Sequence, residues 1–162
     1  MIRIRLFERK DASQLVEVAR KACYYTYKEI LTEQEIKNFI ERNYNEKNLL
    51  EGNNANNSFW VAEDNGKIIG YLQIGIKEEE MRLWRLYLDP SYIGKGIGSM
   101  LLSEAEKFMI KKGIRRYALE IHPKIEAKFN FYPKKSFYKI LKEEVEGNSD
   151  KNKKVMRGYY DF

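Results

Sequence analysis

Three glycines recur at every second position, Gly94, Gly96 and Gly98, between a strand-like stretch ending at Leu88 and a helix-like one starting near Ser99. Asp89-Pro90 stops the strand, because proline has no N–H for a ladder. Beyond the glycines, Leu101, Leu102, Ala105 and Phe108 recur at helical spacing, and Gly113 ends the helix near Lys112 as a C-terminal glycine. A strand that passes through a glycine turn into an amphipathic helix marks an α/β chain. Such a turn also has a chemistry. A helix start offers unpaired N–H groups and about half a positive charge, and glycine lets a phosphate approach the backbone. Spacing narrows the ligand. A Walker A loop requires Gly-Lys-Ser/Thr after four residues, and none follows Gly94; a dinucleotide fingerprint requires glycine where Ser99 stands, and Asp89–Ile93 separates the turn from its strand. A helix entry with no ligand is the plainer alternative.

The rest of the chain reads as one domain. Ile2, Ile4 and Leu6 alternate with arginines as a short strand. Asp11 is placed to cap a helix running to about Tyr27 on Leu15, Val16, Ala19, Ala22 and Cys23, and Thr32-Glu33-Gln34-Glu35 is a capping box for a second helix through Ile40. Gly52–Ser58 is a polar loop. Phe59–Asp64 and Lys67–Ile76 flank Asn65-Gly66, the residue pair that a type I′ hairpin turn favours, and Met81–Leu88 is the third strand of that meander. Arg116–His122 is a strand, Glu126–Lys134 a short helix, and Phe137–Val145 with Val155–Tyr160 a closing hairpin. The expected fold class is α/β, a mixed and mostly antiparallel sheet with helices on both faces, over residues 1–162.

Composition excludes several functions. Lys and Arg number 30 against 24 Asp and Glu, a net charge of +6 that favours anionic partners without choosing among them. The single cysteine, Cys23, forms no internal disulfide and no zinc cluster, which fits a cytoplasmic location. No run approaches the ~18 apolar residues of a membrane span. Ser/His/Asp catalysis is poorly supported, since the one histidine, His122, lies in no nucleophile-elbow context.

The segment Leu86-Tyr87-Leu88-Asp89-Pro90-Ser91-Tyr92-Ile93-Gly94-Lys95-Gly96-Ile97-Gly98-Ser99 resembles the acetyl-CoA-binding motif of the GNAT (Gcn5-related) N-acetyltransferases. Leu119–Pro123 and Phe131-Tyr132-Pro133-Lys134-Lys135-Ser136-Phe137 resemble the family's next strand and its Phe-Tyr-x-x-x-Gly-Phe signature. The likeness spans about Trp60 to Lys139. It departs from the family at Ile93, where Arg or Gln opens the loop, at Ile125 and Lys128, where Asn and a small residue stand, and at Ser136, usually Gly.

The resemblance implies a GNAT fold, acetyl-CoA as donor, and direct attack of an amine on the thioester. It assigns Leu86, Tyr87, Leu88, Ile93, Gly94, Lys95, Gly96, Ile97, Gly98, Ser99, Tyr132 and Lys135 to the cofactor. The backbone N–H near Leu88 would stabilise charge on the thioester oxygen. Tyr132 would return a proton to the CoA thiolate, a phenol of pKa ~10 facing a thiol of ~8.5. The family's usual glutamate base falls on Arg82, which leaves Glu120 on the next strand as the candidate base. His122 reads as a strand-end residue.

The acceptor that the resemblance implies is an amine. Tyr24–Glu35 joins tyrosines to glutamates, a composition suited to a cationic, partly apolar amine, with Tyr27, Glu29 and Glu33 as contacts. The run Thr26–Glu33 resembles the PaiA-like spermidine/spermine acetyltransferases of the family, which implies a polyamine; a solvated helix end is the alternative. Protein N-termini and other small amines also remain open, as do a CoA-sensing module without activity and a nucleic-acid-binding module using the basic, tyrosine-rich surface. A homodimer is compatible with this reading. No metal and no membrane enter it.

Overall fold

A computed structural model describes residues 1–122, 124–125, 131, 139–145 and 154–161. Along the chain run β1 (Ile2–Leu6), α1 (Ala12–Tyr27), α2 (Glu33–Asn43), α3 (Glu46–Gly52), β2 (Asn57–Asp64), β3 (Lys67–Lys77), β4 (Glu80–Leu88), α4 (Ile97–Lys111), β5 (Arg116–Ile121), β6 (Lys139–Val145) and β7 (Lys154–Asp161). Short 3-10 turns at Arg9–Asp11 and Pro90–Tyr92 lead into α1 and the glycine segment. The strands form one sheet in the order β1-β2-β3-β4-β5-β7-β6. Its pairings are antiparallel except for β4 with β5.

Local signals explain much of this. Asn65 and Gly66 take φ of 49° and 79°, as a type I′ turn needs, and close β2 onto β3. Thr32 accepts from the Glu35 N–H at 3.3 Å while the Glu35 carboxylate accepts from the Thr32 N–H at 2.7 Å, so two of the unpaired donors at the start of α2 are satisfied. Gly113, at φ 74°, ends α4 in the left-handed region.

Each face of the sheet has its own core. On one face, α4 buries Leu101, Leu102, Ala105 and Met109 against Leu72, Ile74 and Leu83. On the other, α1, α2 and α3 bury Leu15, Ala19, Ile36 and Leu49 against Val61 and Tyr71. The α/β class with helices on both faces is as expected.

Several local expectations change. Asp11 makes no side-chain cap to α1. Its carboxylate, 2% exposed, instead accepts from Arg5 at 2.7 and 2.8 Å and from the Glu8 N–H at 2.8 Å, so it ties the turn to β1. Phe108 sits at the rim of the α4 stripe and Met109 completes it. The helix α3 was unforeseen; Asn45 starts it by accepting from the Asn48 N–H at 2.9 Å. The expected helix at Glu126–Lys134 lies largely outside the described residues. No helix among the described residues is long and apolar enough to cross a membrane.

Candidate active site

A cleft opens where β4 leaves β5. Their parallel ladder joins Arg82 to Ala118 and Leu83 to Leu119, and Trp84–Leu88 then run on without a β5 partner. The cause is a bulge. Against β3, Gln73 pairs with Arg85 and Ile74 with Leu83, so Trp84 is an extra residue on β4. A bulge bends and twists its strand and reverses which side chains face which side beyond it. Met81 and Leu83 pack toward α4 before the bulge, Leu86 and Leu88 after it. Arg85 and Tyr87 are thereby turned toward α1. The splayed strands enclose a cleft of about 450 Å³.

The free edge of β4 points into this cleft. The Asp89 N–H donates to the Ile69 carbonyl at 2.8 Å. Alternation along an antiparallel ladder then turns the amides of Leu88 and Leu86 away from β3, toward the gap. A backbone donor at Leu88 is available to an oxygen held between the strands.

At one end lies the glycine segment. Gly94 and Gly96 take φ of 82° and 79°, and a Cβ on either would meet nothing within 4 Å. Glycine is needed there for backbone conformation, and the space beside the loop is open. Gly98 is different: a Cβ would come within 3.3 Å of the Phe131 ring. The first helical bond of α4 is donated by the Met100 N–H to the Gly96 carbonyl at 3.1 Å, so the amides of Ile97, Gly98 and Ser99 precede it. Asp89 holds the loop's root, its carboxylate accepting from the Ser91 N–H at 3.0 Å and hydroxyl at 2.7 Å. These amides, with glycine on both sides, fit a pyrophosphate. Lys95 lies over the Tyr92 ring, 4.8 Å from its centroid, on the outer side of the loop.

At the other end lies an aromatic cluster. The Tyr27 and Tyr87 hydroxyls are 2.7 Å apart. Burial pushes both phenols up, against the lowering effect on Tyr27 of its bond to Tyr87. Tyr44 packs edge-on against Tyr71 and Tyr87. The Tyr71 hydroxyl is buried beside Tyr44 without a hydrogen bond of ordinary geometry among the described residues. Arg85 lies over the Tyr44 ring at 4.6 Å. Burial also pushes the Cys23 thiol to about 12, so it is neutral and inert.

Glu120 faces the cleft from β5 and is held by Arg82, N–O 3.2 Å, which also bonds Glu80 at 3.1 Å. The Glu120 side chain remains 38% exposed. His122 closes the strand: its Nδ1 accepts from the Lys124 N–H at 3.1 Å, and burial pulls its imidazole below the usual histidine range.

The cleft thus brings together the expected Leu86, Tyr87, Leu88, Ile93, Gly94, Gly96, Ile97, Gly98, Ser99, Glu120 and Tyr27. The departures Ile93 and Ile125 line it too. Tyr87 enters as Tyr27's partner on the α1 side. Lys95, Glu29 and Glu33 are exposed and outside its lining. Tyr132, Lys135, Lys128 and Ser136 lie outside the described residues. Trp84 and Arg85 were missed. Their signal was available: apolar positions 81 and 83 continue at 86 and 88, a break in alternation that a bulge explains.

Known proteins resemble this chain in sequence and fold. The model of the Acetyltransferase (GNAT) family matches residues 17–137. Spermidine N(1)-acetyltransferase of Thermoplasma acidophilum is 37% identical over 141 residues, 84% of this chain and 88% of that protein. The crystal structure of PaiA N-acetyltransferase from Thermoplasma acidophilum in complex with coenzyme A superposes with a TM-score of 0.88 at 31% identity, covering 100% of this chain and 99% of that one. Ribosomal-protein-S18-alanine N-acetyltransferase from Escherichia coli superposes with a TM-score of 0.72 at 17% identity, covering 99% and 94%, a likeness of fold. By family model, sequence and fold together, the chain belongs to the GNAT family of acetyltransferases.

Proposed function

We propose that the protein transfers the acetyl group of acetyl-CoA to a primary amine of a polyamine such as spermidine. The observation that carries the substrate class is the likeness to a spermidine acetyltransferase over most of both chains. The cleft supports it: a helix start suited to phosphate at one end, and Tyr25, Tyr27 and Trp84 at the other, where aromatic faces suit an alkyl amine.

In this reading the amides of Ile97, Gly98 and Ser99 hold the CoA pyrophosphate, and the β4 edge at Leu86 and Leu88 holds the chain that leads to the thioester. The Leu88 N–H faces the charge that develops on the thioester oxygen as the amine attacks. The C–N bond forms, the C–S bond breaks, and the departing thiolate takes a proton. Tyr132 supplies that proton. Lys95 adds charge outside the loop, and Lys135 contacts CoA. Ile93 leaves phosphate binding to the backbone. Glu120 receives the proton that the amine must lose. An alkyl amine of pKa ~10.4 is about 3 units from its neutral form at pH 7, roughly 4 kcal/mol. Exposed Glu29 and Glu33 attract the distal ammonium groups of a polyamine. A cytoplasmic location and a homodimer fit the same reading.

A thiol-release assay with acetyl-CoA and spermidine, spermine, aminoglycosides and peptides tests it. Turnover is expected with the polyamines. Release with peptides alone refutes the substrate class and favours an N-terminal acetyltransferase.

A further inference from the structure

Arg85 stands in the cleft without a counter-ion among the described residues. The Trp84 bulge turns it toward α1, and its guanidinium is stacked on Tyr44 at 4.6 Å. Among the described residues it has no ion pair and no hydrogen bond. The titratable groups around it are Cys23 and Tyr27 from α1, Tyr44 after α2, Tyr71 from β3 and its neighbour Tyr87 on β4. These are a thiol and phenols that burial keeps neutral. On the β5 side, Glu120 is the carboxylate that lines the cleft among the described residues, and Arg82 already engages it. Among the described residues, Arg85 therefore presents an uncompensated positive charge beside the free β4 edge.

We propose that Arg85 is a positioning residue that keeps the amine end of the cleft electropositive, so that the acceptor nitrogen occupies it as the neutral, nucleophilic base. The inference rests on the cleft being where a primary amine meets the thioester. A like charge nearby disfavours an ammonium and favours its deprotonated form. The proton passes by way of Glu120 to solvent as the amine enters, and the neutral amine then attacks. As the C–N bond forms, the second proton the nitrogen loses replaces the one that Tyr132 gives to the thiolate, so the step balances. A shift of roughly one unit in the bound amine covers about a third of its distance from neutrality at pH 7. The remaining ammonium groups of a polyamine stay outside, toward Glu29 and Glu33. A basic protein thus handles a cationic substrate by admitting one nitrogen uncharged.

The test is the pH dependence of thiol release by Arg85→Met and Arg85→Lys at varied spermidine. The profile of kcat reports the bound amine, and that of kcat/KM the free reactants. In Arg85→Met the rising limb of kcat should move up by about one unit. At pH 7 kcat then falls roughly tenfold and KM falls with it, because the ammonium is no longer repelled, while the limb of kcat/KM stays in place. Arg85→Lys, which keeps the charge, should retain the wild-type limb. An unmoved kcat limb, a KM that rises, or a lysine variant that behaves like methionine overturns the proposal. Should Arg85→Met fail to fold, Arg85→Gln reads the same limb. If spermidine is not acetylated, the profile is read on whichever primary amine is, so failure of the polyamine reading and of this one are separate results.

Discussion

Gly96→Ala isolates what the glycine turn contributes to binding. Gly96 has φ 79°, and a Cβ there would meet no atom within 4 Å. The substitution therefore adds no clash, only the cost of the left-handed region for a residue with a Cβ, about 1–2 kcal/mol. Gly66 is an internal control, with the same φ of 79° and the same open surroundings. The ladder of β2 and β3 clamps the ends of the Gly66 turn, so Gly66→Ala cannot relax and shows its cost as stability, roughly 2–4 °C of Tm per kcal/mol in a chain of this size. No ladder holds both ends of the Gly96 turn. Its backbone can leave the left-handed region in the free protein, and ligand binding must then restore it. The cost appears as affinity, roughly 5- to 30-fold in the Kd of CoA. Calorimetry with CoA and thermal melts of both variants measure the two quantities. Gly66→Ala should lose Tm and keep wild-type affinity; Gly96→Ala should lose affinity and less Tm. Wild-type CoA binding by Gly96→Ala would refute the assignment of this turn to the phosphates.

Two further outcomes test the chemistry and the frame. Tyr132→Phe should lower kcat far more than it raises KM for acetyl-CoA, and an unchanged kcat removes it from proton transfer. Arg5→Met leaves the Asp11 carboxylate buried without its partner and should cost about 3–5 kcal/mol at pH 7, read from urea midpoints. Burial raises Asp11, but the Arg5 guanidinium and the Glu8 amide outweigh it and hold the carboxyl below the usual range. A depressed native pKa stabilises the fold above the unfolded value of ~3.9, and that stability is lost as pH falls through the native one. The gap between wild type and variant should therefore shrink on acidification. A gap that stays constant from pH 7 to pH 3 contradicts the account.

The features legible in the sequence are local ones. Asn65-Gly66, Thr32 with Glu35, and Gly113 each act within a turn, and each appears where its spacing indicated. The glycine segment was legible for the same reason, since positive φ at Gly94 and Gly96 is a property of the residue. The helix α3 escaped notice because it is seven residues long and buries only Leu49 fully, too little for a periodicity to show. Glu29 and Glu33 had the right composition for an amine site, yet composition does not say which way a helix end faces, and both lie outside the cleft lining.

By itself the sequence determined the α/β class, the meander and the glycine turn, because these rest on backbone preferences and spacings within a few residues, and the likeness of its motifs pointed to the family. The tertiary structure alone decided the cleft. The bulge at Trp84 exists only against β3, the Arg82–Glu120 pair joins residues 38 apart, and the Tyr27–Tyr87 contact joins residues 60 apart. The charge at Arg85 has meaning only there, since whether an arginine is paired depends on which strands and helices surround it. Electrostatics and strand register are set by neighbours in space, and those neighbours turn a glycine-rich helix entry into one end of a cleft.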